Sequence, residues 1–416
     1  MKAQDSVKNY PSALREMTNF SVRGIKKICK DVGPRPAGSE QEHEAQKLMA
    51  AELDGACDKV EIEPFDVHPG AFLGWILTDG IMMIAAIVLF FFGMSVISLV
   101  LSALSLIFAI VEFLLYKKML DPFFPKKTSH NVVAVRKPKG EVKRRIFFNG
   151  HPDAAWEWPV NYKLGGVGFE GHAVICGIGA VYYLVISIML VAKNGLEYVS
   201  FDADETLGLL RLIGLVFVPF LIGLYWMWNE NRVVDGANDN LSGCYMGIAI
   251  LKALKEEGIE FENTEVGVIL TGSEEAGLRG AKAWCAAHKG EFDDVPTFIF
   301  SYDTIHDPKY LMTNYRDLNG TVKADKDVSD LFMEAAKELD ISCKKGWVPP
   351  LGGATDSAAF AQAGFRATGV TGLNHKLEDY YHTRRDTYDN MNEQGLADCF
   401  AISVKALEMF DNGAKQ

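Results

Sequence analysis

The first of two long apolar regions in the chain covers residues 71–116. Its only ionisable side chains are those of Asp79 and Glu112, and the short segment 93–95 divides it into two stretches. Each stretch has roughly the 20 residues that an α-helix needs to cross the hydrocarbon core of a bilayer. The pattern therefore predicts a hairpin of two transmembrane helices.

A second apolar region covers residues 172–228 and has the same organisation. Its two apolar stretches, 173–192 and 207–228, are separated by a polar segment. Trp226 and Trp228 lie near a predicted helix end, where an indole ring favours the membrane interface. Buried helices of a large soluble core are the alternative interpretation, but four nearly uncharged stretches of spanning length, paired in hairpins, favour insertion into a membrane.

Charged residues beside the hairpins predict their orientation. Four lysines flank the first hairpin on the side of the remaining chain, whereas the tip of the second hairpin carries four acidic residues. The lysines are Lys117, Lys118, Lys126 and Lys127, and the acidic residues are Glu197, Asp202, Asp204 and Glu205. Because lysine and arginine are enriched on the cytoplasmic side of membrane proteins, the rest of the chain is expected in the cytoplasm.

The rest of the chain alternates between strand-like and helix-like segments. The strand-like runs are residues 60–67, 131–136, 145–149, 266–271, 297–302 and 366–371. The segments with helical periodicity are residues 40–53, 242–257, 281–289, 329–339 and 392–410. This alternation predicts an α/β fold with a mixed central sheet flanked by helices. The domain is expected to consist of residues 1–70, 119–171 and 229–416, with residues 71–118 and 172–228 inserted as the two hairpins.

Composition and charge exclude several classes of protein. The chain has 416 residues, of which 49% are hydrophobic and 23% are charged, so it can form a large core. The formal net charge of -12 argues against a nucleic-acid partner. Seven widely spaced cysteines include no Cys-x-x-Cys pair, which favours a reducing compartment over a disulfide framework or a cysteine zinc site. The first twenty residues lack an apolar core, so no cleavable signal peptide is expected.

Three predicted strands lead directly into side chains that can bind metals. His151 follows the first of these strands, Glu274 and Glu275 follow the second, and Asp303 follows the third. Ligands of open α/β sheets bind beyond the carboxyl ends of the strands, so we expect these side chains to meet. Imidazole nitrogen and carboxylate oxygen are typical ligands of zinc.

These residues belong to a series of motifs that resembles the M28 zinc peptidases of the aminopeptidase type. The series begins with Gly-Pro-Arg-Pro-Ala-Gly-Ser at residues 33–39 and the strand at 131–135. It continues with His-Pro-Asp at 151–153, Gly-Ala-Asn-Asp-Asn-Leu-Ser-Gly at 236–243, Glu-Glu at 274–275, Asp303 and Tyr-His-Thr at 381–383, and it ends at Thr387. The motifs occur in the family's order and cover nearly all of the chain outside the hairpins.

The resemblance implies a set of five metal ligands. His151 and Asp303 would hold one metal ion, and Glu275 and His382 would hold the other. Asp239 would bridge the two ions. A pair of ions in this arrangement shares a water molecule and lowers its pKa.

The resemblance also implies roles for residues beside the ligands. Asp153 would orient the ring of His151, and Glu274 would act as general base. Tyr381 would donate a hydrogen bond to the tetrahedral oxyanion, as a tyrosine does in some family members, or would have a packing role. Trp156 and Trp158 follow the first ligand and would line a hydrophobic substrate pocket or pack.

The implied function is a membrane-anchored aminopeptidase with two Zn²⁺ ions, for which Co²⁺ and Mn²⁺ are alternatives. Its partners would be a peptide substrate and the lipid bilayer, while the oligomeric state stays open. A glutaminyl cyclase with one zinc ion and a non-catalytic membrane receptor or scaffold are the other candidates, and the complete ligand set argues against both. The hairpins are expected to be loop insertions with neighbouring ends. Our hypothesis is that they hold the catalytic mouth near the membrane and select peptides released there.

Overall fold

The computed structural model describes residues 11–196, 205–374, 376 and 378–415. Three acidic residues of the second hairpin tip, Glu197, Asp202 and Asp204, lie outside these residues. Glu205 is the first residue of a described helix, but its side chain is not described. The charge difference that predicts the orientation therefore stays an expectation from the sequence.

An eight-stranded mixed sheet forms the centre of the molecule. Its strands are β1 (Lys59–Val67), β2 (Lys127–Arg136), β3 (Arg144–Gly150), β6 (Thr264–Leu270), β7 (Thr297–Ile305), β8 (Leu311–Asn314), β11 (Lys344–Gly346) and β12 (Arg366–Gly372). Their order in the sheet is β1-β2-β6-β3-β7-β12-β8-β11. The four central strands β6, β3, β7 and β12 are parallel, whereas β1, β2 and β8 run antiparallel to their inner neighbours. The predicted mixed α/β fold is confirmed.

Helices cover both faces of this sheet. Those of the α/β domain are α1 (Pro11–Asp31), α2 (Glu40–Asp54), α8 (Ser242–Glu256), α9 (Arg279–Ala287), α10 (Lys326–Glu338), α11 (Asp356–Gln362) and α12 (Glu393–Asp411). Neighbouring residues of a strand point to opposite faces, so Phe148 of β3 packs in the core with α8, while Phe147 packs against Trp284 of α9. Two short pairs of strands complete the domain: β4 (Trp156–Glu157) with β5 (Asn229–Val233), and β9 (Arg316–Asp317) with β10 (Val322–Lys323).

Both apolar insertions leave the domain between paired strand ends. Val67, the last residue of β1, lies opposite Lys127, the first residue of β2. Glu157 of β4 lies opposite Asn229 of β5 in the same way. The chain thus enters and leaves each insertion at neighbouring positions, which is the condition under which a long insertion leaves the rest of a fold intact.

Four helices of the insertions are long and apolar enough to cross a membrane. They are Pro69–Phe91, Ser95–Leu114, Pro159–Asn194 and Gly208–Trp226. The first is α3, and the second combines α4 (Ser95–Phe108) with a π-helical turn at Ala109–Leu114. The third is α5, and the fourth contains parts of α6 (Glu205–Gly214) and α7 (Val218–Gly223). Within the fourth helix, α6 and α7 are separated near Pro219, because proline has no backbone N–H to continue the regular helical hydrogen bonds.

Helix α5 begins well before the predicted stretch 173–192, which is a correction to the sequence-based boundary. Its first part, from Pro159, includes polar residues such as Asn161 and Glu170, so hydropathy did not identify it as part of a span. Gly165 has a φ of 70°, which interrupts the helix close to the domain. The four helices pack around Met83, Phe90 and Tyr183, and they form a unit that we call the bundle.

Candidate metal centre

The parallel strands bring the predicted ligands to one edge of the sheet. His151 follows β3, and Glu274 and Glu275 follow β6 on the neighbouring strand. Asp303 lies near the end of β7, which extends to Ile305 and thus beyond the predicted strand. Because the carboxyl ends of parallel strands meet at the same edge, four ligand-type side chains converge without any bend in the sheet.

Asp239 lies between the two histidines. Its Oδ1 atom is 3.5 Å from Nε2 of His151, and its Oδ2 atom is 2.9 Å from Nε2 of His382. Nε2 of His382 is also 3.3 Å from Oε1 of Glu275, and Nε2 of His151 is 3.7 Å from Oε2 of Glu274. The two oxygens of one carboxylate therefore face two separate groups of side chains.

Each of these groups has the composition and spacing of a metal site. One consists of His151, Glu274 and Asp303, and the other of Asp239, Glu275 and His382. Within each group, the candidate ligand atoms lie within 4.8 Å of one another. The structure thus brings all five predicted ligands together with Glu274, and the division of roles among them stays a prediction from the resemblance.

The charge of the centre fits divalent cations. Asp239, Glu274, Glu275 and Asp303 are four carboxylates packed against each other at a largely buried site. Among the described residues, no lysine or arginine forms an ion pair with Glu274, Glu275 or Asp303, and Nε2 of His151 has no hydrogen-bond partner. Buried carboxylates without a counter-charge are costly, and zinc accepts both imidazole and carboxylate ligands. These residues therefore fit a zinc centre.

The same crowding shifts the pKa values of the side chains. Burial, with the nearby Asp239 carboxylate, raises the pKa of Asp303 to about 8. Burial, together with the acids Asp356 and Glu275, also raises the pKa of Glu274. Burial acts to lower the pKa of His382, but Glu275 and Asp239 outweigh it and raise the value to about 10. In all three cases neighbouring carboxylates also act to raise the pKa, and a bound divalent cation would relieve this excess of negative charge.

A loop after β5 positions Asp239. The loop begins at Gly236, whose φ is 60° and whose missing Cβ would lie 2.6 Å from the backbone oxygen of Asp239. The carboxylate of Asp386 accepts hydrogen bonds from the backbone N–H of Asn238 (2.8 Å) and of Asp239 (3.0 Å). Asp386 belongs to the last family motif but had no predicted role. It holds the bridging candidate from a position 147 residues away along the chain.

Asp153 joins two of the ligand segments. Its two carboxylate oxygens accept hydrogen bonds from the backbone N–H groups of Glu274 and Glu275, both at 3.0 Å. Its Oδ1 atom also lies 3.3 Å from Nδ1 of His151. Asp153 is fully buried. One side chain thus holds the glutamate loop by two hydrogen bonds and lies beside the ring predicted to carry the first metal.

Two further buried side chains from the N-terminal region support the site. Arg35 donates hydrogen bonds to the carbonyl oxygens of Pro152 (2.6 Å) and Gly236 (3.2 Å), and so connects the segments of His151 and Asp239. Glu42 accepts hydrogen bonds from the backbone N–H of Ser273 (2.5 Å), immediately before Glu274, and from the Ser129 hydroxyl (2.9 Å). The sequence placed Arg35 in a motif, whereas nothing in the sequence distinguished Glu42 from the other acids of its helix.

The start of the second insertion positions the last ligand. Trp158 donates its backbone N–H to the carbonyl oxygen of His382 (2.8 Å), and Asn161 of α5 donates to that of Tyr381 (2.6 Å). The indole of Trp158 packs against the His382 ring with 4.1 Å between centroids. The site therefore depends on a helix that continues into the bundle.

Three residues of the site have left-handed backbone conformations that are uncommon outside glycine. Ser273, Thr304 and His382 have φ values of 54°, 52° and 51°. Ser273 precedes Glu274, Thr304 follows Asp303, and His382 is itself a predicted ligand. Conformations of this kind persist where surrounding contacts hold them, and they cluster at functional sites.

A cavity of about 440 Å³ opens beside the metal centre. Asp239, Glu274, Glu275, Asp303 and His382 form one end of its lining. Tyr381, Trp156 and Trp158 also line it, so both tryptophans lie at the pocket for which the sequence proposed them. Its volume falls within the roughly 300–1,000 Å³ of ordinary small-molecule pockets.

Comparison with known proteins agrees with this geometry. Residues 225–407 match the model of Peptidase family M28. The M28 resemblance is confirmed. The M28 match includes Asp239, Glu274, Glu275 and His382 and supports a zinc peptidase as the class of function. No curated protein sequence matches the chain.

Solved structures show a likeness of fold over nearly the whole chain. The zinc aminopeptidase BSAP from Bacillus subtilis has a TM-score of 0.55 at 14% identity, with 94% of each chain covered. The aminopeptidase from Aneurinibacillus sp. strain AM-1 has a TM-score of 0.54 at 14% identity, covering 94% of this chain and 93% of its own. The glutaminyl cyclase of Bacteroides thetaiotaomicron, bound to N-acetylhistamine, scores 0.55 at 13% identity, covering 94% and 97%. At these identities the likeness shows the fold alone.

Proposed function

We propose that this protein is a membrane-anchored di-zinc aminopeptidase that removes N-terminal residues from peptides. The observation that carries the proposal is the position of Asp239, whose two carboxylate oxygens face His151 and His382 separately. A carboxylate in this position suits a bridge between two ions. The remaining ligands would be Asp303 with His151, and Glu275 with His382.

Zinc ions bound there would supply Lewis acidity, which polarises the scissile carbonyl and acidifies a water molecule. Glu274 lines the cavity, belongs to one candidate metal group and is adjacent in sequence to Glu275 of the other, and it accepts the proton of the attacking water. It then donates this proton to the leaving amine as the C–N bond breaks. Asp153 holds the backbone of Glu274 and keeps the base in place.

Tyr381 is suited to the oxyanion role that the resemblance implies. It lines the cavity beside the candidate ligands, and its ring packs on His382 with 4.1 Å between centroids. Burial and the neighbouring carboxylates Asp239 and Asp303 raise its pKa, so the phenol keeps its proton. A protonated phenol in this place would donate a hydrogen bond to the oxygen that becomes negative in the transition state.

Removal of the general base tests the proposal. In the full-length protein in detergent, we expect Glu274→Gln to lower kcat for an N-terminal leucine substrate by roughly 100-fold or more. The protein should contain two zinc ions per chain, and Glu257→Gln, at an exposed glutamate, should keep full activity. Equal activity of wild type and Glu274→Gln across a peptide library would instead support the receptor or scaffold.

The same experiment separates the peptidase from a glutaminyl cyclase. The cyclase alternative is retained because one of the similar folds is a glutaminyl cyclase. A cyclase would contain one zinc ion per chain and would convert an N-terminal glutamine into a cyclised product without releasing an amino acid. Mass spectrometry of the products and metal analysis of the same sample distinguish the two reactions.

We also propose that the bundle spans a membrane and that the α/β domain is cytoplasmic. The support is the length and composition of four helices, together with the lysines beside the first hairpin. Lys289, an exposed residue of the domain, offers a test when replaced by cysteine. In intact cells, Lys289→Cys should add no labelling by a membrane-impermeant maleimide beyond that of wild type until the membrane is opened.

A further inference from the structure

The cavity at the metal centre does not end within the α/β domain. Its lining continues along α5 from Gly166 to Val181, roughly 22 Å at the rise of an α-helix. It also reaches Asp79 of α3, ten residues into that helix, and Ser105 of α4. We call this extension the bundle chamber. One continuous space therefore joins the candidate catalytic residues to the interior of the apolar helices.

The wall of this space is continuous from a predicted metal ligand to the bundle. The Trp158 indole lies 4.1 Å from the His382 ring and stacks on Phe169 of α5 at 4.3 Å, between centroids. All three side chains line the cavity. A molecule with its polar end at the metal centre can thus extend directly into the bundle chamber.

The bundle chamber suits a hydrocarbon chain better than a peptide. It is lined mainly by apolar side chains, and Asp79 already accepts a hydrogen bond from Ser105. An extended peptide there would leave its backbone N–H and C=O groups unpaired, which costs free energy in an apolar environment. A single hydrocarbon chain has no polar backbone groups to leave unpaired.

Small residues of α5 leave room for such a chain. Ala173, Gly177 and Ala180 line the chamber at intervals of three and four residues, and therefore lie on one face of the helix. A Cβ added to Gly177 would meet no atom within 4 Å. Ile110 of the π-helical turn and Val181 of α5 line the chamber and are each about half exposed, at 45% and 49%. At this point the chamber is separated from the outside of the bundle by one layer of side chains.

We propose that the substrate is an amphiphilic amide with one long hydrocarbon chain, which lies in the bundle chamber while the amide lies at the metal centre. This inference rests on the proposed hydrolase function and names its substrate class. Hydrolysis adds water across the C–N bond and gives a carboxylate and an amine. The hydrocarbon chain can be attached to the carbonyl side or to the amine side of the amide, and two substrate series distinguish these two possibilities.

Two substrate series test the proposal with the full-length protein in detergent. One contains leucine N-alkylamides with ethyl, octyl and hexadecyl chains, and the other contains N-acetyl, N-octanoyl and N-hexadecanoyl leucine. In one series, kcat/KM should rise by about fourfold for each methylene that becomes buried. The series that shows the rise identifies the side of the amide that carries the chain. If kcat/KM does not rise with chain length in either series, the proposal is wrong.

Two neighbouring residues of α5 provide a matched pair of variants. Gly177→Phe fills the chamber, whereas Ile178→Phe changes a side chain that is 53% exposed and does not line it. We expect Gly177→Phe to lower the ratio of kcat/KM for the longest over the shortest substrate by tenfold or more. Ile178→Phe should keep this ratio. Equal ratios in the two variants would exclude the bundle chamber as the binding site of the chain.

A binding measurement separates this proposal from the proposed function. A hexadecyl amide with a photoreactive group at the end of its chain is bound to the Glu274→Gln variant, and the labelled residues are mapped by mass spectrometry. Competable labelling near Gly177 supports the chamber even if the wild-type protein hydrolyses no amide, in which case only the hydrolase function fails. Labelling confined to outward-facing residues such as Ile178 and Val185 would overturn the chamber even if short amides are hydrolysed.

Discussion

At the scale of single residues, the site depends on carboxylates that bind the backbone as much as on those predicted to bind metal. Asp153 and Asp386 each accept hydrogen bonds from backbone N–H groups of ligand segments. Asp153 holds Glu274 and Glu275, and Asp386 holds Asp239. Both acids are fully buried, so their hydrogen bonds are made in a medium of low polarity, where a lost partner is costly.

Replacing Asp153 by asparagine isolates this positioning effect. An asparagine amide keeps one acceptor oxygen, but its NH₂ group can only donate. This group would replace a carboxylate oxygen that now faces a backbone N–H or Nδ1 of His151. We expect Asp153→Asn to lower zinc affinity and kcat/KM by roughly 10-fold to 100-fold, measured by metal titration and peptide hydrolysis. Asp330→Asn, in an ion pair of α10 far from the centre, is the control and should change neither. An Asp153→Asn enzyme with wild-type zinc affinity would contradict the role.

At the scale of elements, the sequence alone was sufficient to predict those strands and helices whose structure is determined by their local residue pattern. The apolar run that includes Phe147 and Phe148 predicted β3 to within one residue at each end, and His151 follows it as expected. The hairpin of α3 and α4 was equally apparent, because apolar length alone determines such helices. These features need no knowledge of distant residues.

Features that depend on tertiary contact could not be read in the same way. The pairing of Asp386 with Asn238 joins residues 148 positions apart, and neither residue has a local pattern that indicates the other. Helix α5 begins at Pro159 because Trp158 and Asn161 are fixed by the His382 segment, whereas hydropathy detected only its apolar part. The bundle chamber arises from the packing of the four apolar helices against the domain, so no single segment encodes it.

An ion pair between Glu157 and Arg384 connects β4 to the segment that follows His382. Glu157 of β4 is fully buried, and Arg384 donates to both of its carboxylate oxygens, with 2.8 Å between Nη2 and Oε2. Arg384 keeps the pKa of Glu157 below its ordinary value, although burial acts to raise it. We expect Arg384→Met to lower the melting temperature of the protein, because it leaves a buried carboxylate without its main partner.

Thermal unfolding in detergent measures this effect, and the adjacent arginine provides the control. Arg385 is also partly exposed, but its partner carboxylate among the described residues is that of the exposed Asp379. Arg385→Met should therefore change the unfolding free energy by less than about 1 kcal/mol. If the two variants unfold at the same temperature, the Glu157–Arg384 pair contributes nothing specific to the structure.

At the scale of the whole molecule, the bundle and the α/β domain meet at a group of buried charges. Glu112, in the π-helical turn of the second apolar helix, accepts the backbone N–H of Leu120, and Arg279 of α9 pairs with Asp121 at 2.7 Å. Lys282, also on α9, donates to the carbonyl oxygens of Tyr116 (2.6 Å) and Gly277 (2.8 Å). These contacts connect the exit of the first hairpin to the loop that carries Glu274 and Glu275. Polar contacts as well as apolar packing thus hold the bundle against the loop that carries Glu274 and Glu275.

Lys282 makes this junction sensitive to pH. Burial, reinforced by the nearby cations Arg279, Lys118 and Lys117 and only partly opposed by Asp356, lowers the pKa of Lys282 to about 7 from its ordinary 10.5. Between these two values the unfolded chain binds more protons than the folded protein, so this group makes the unfolding free energy rise with pH. We expect the melting temperature of Lys282→Met to rise less between pH 7 and pH 10 than that of wild type. Lys289→Met, at an exposed lysine just beyond the same helix, should keep the wild-type slope. Apart from these two lysines, the variants Lys282→Met and Lys289→Met have the same titrating groups. If their melting temperatures rise equally with pH, Lys282 stays charged in the folded protein, held by its two carbonyl partners.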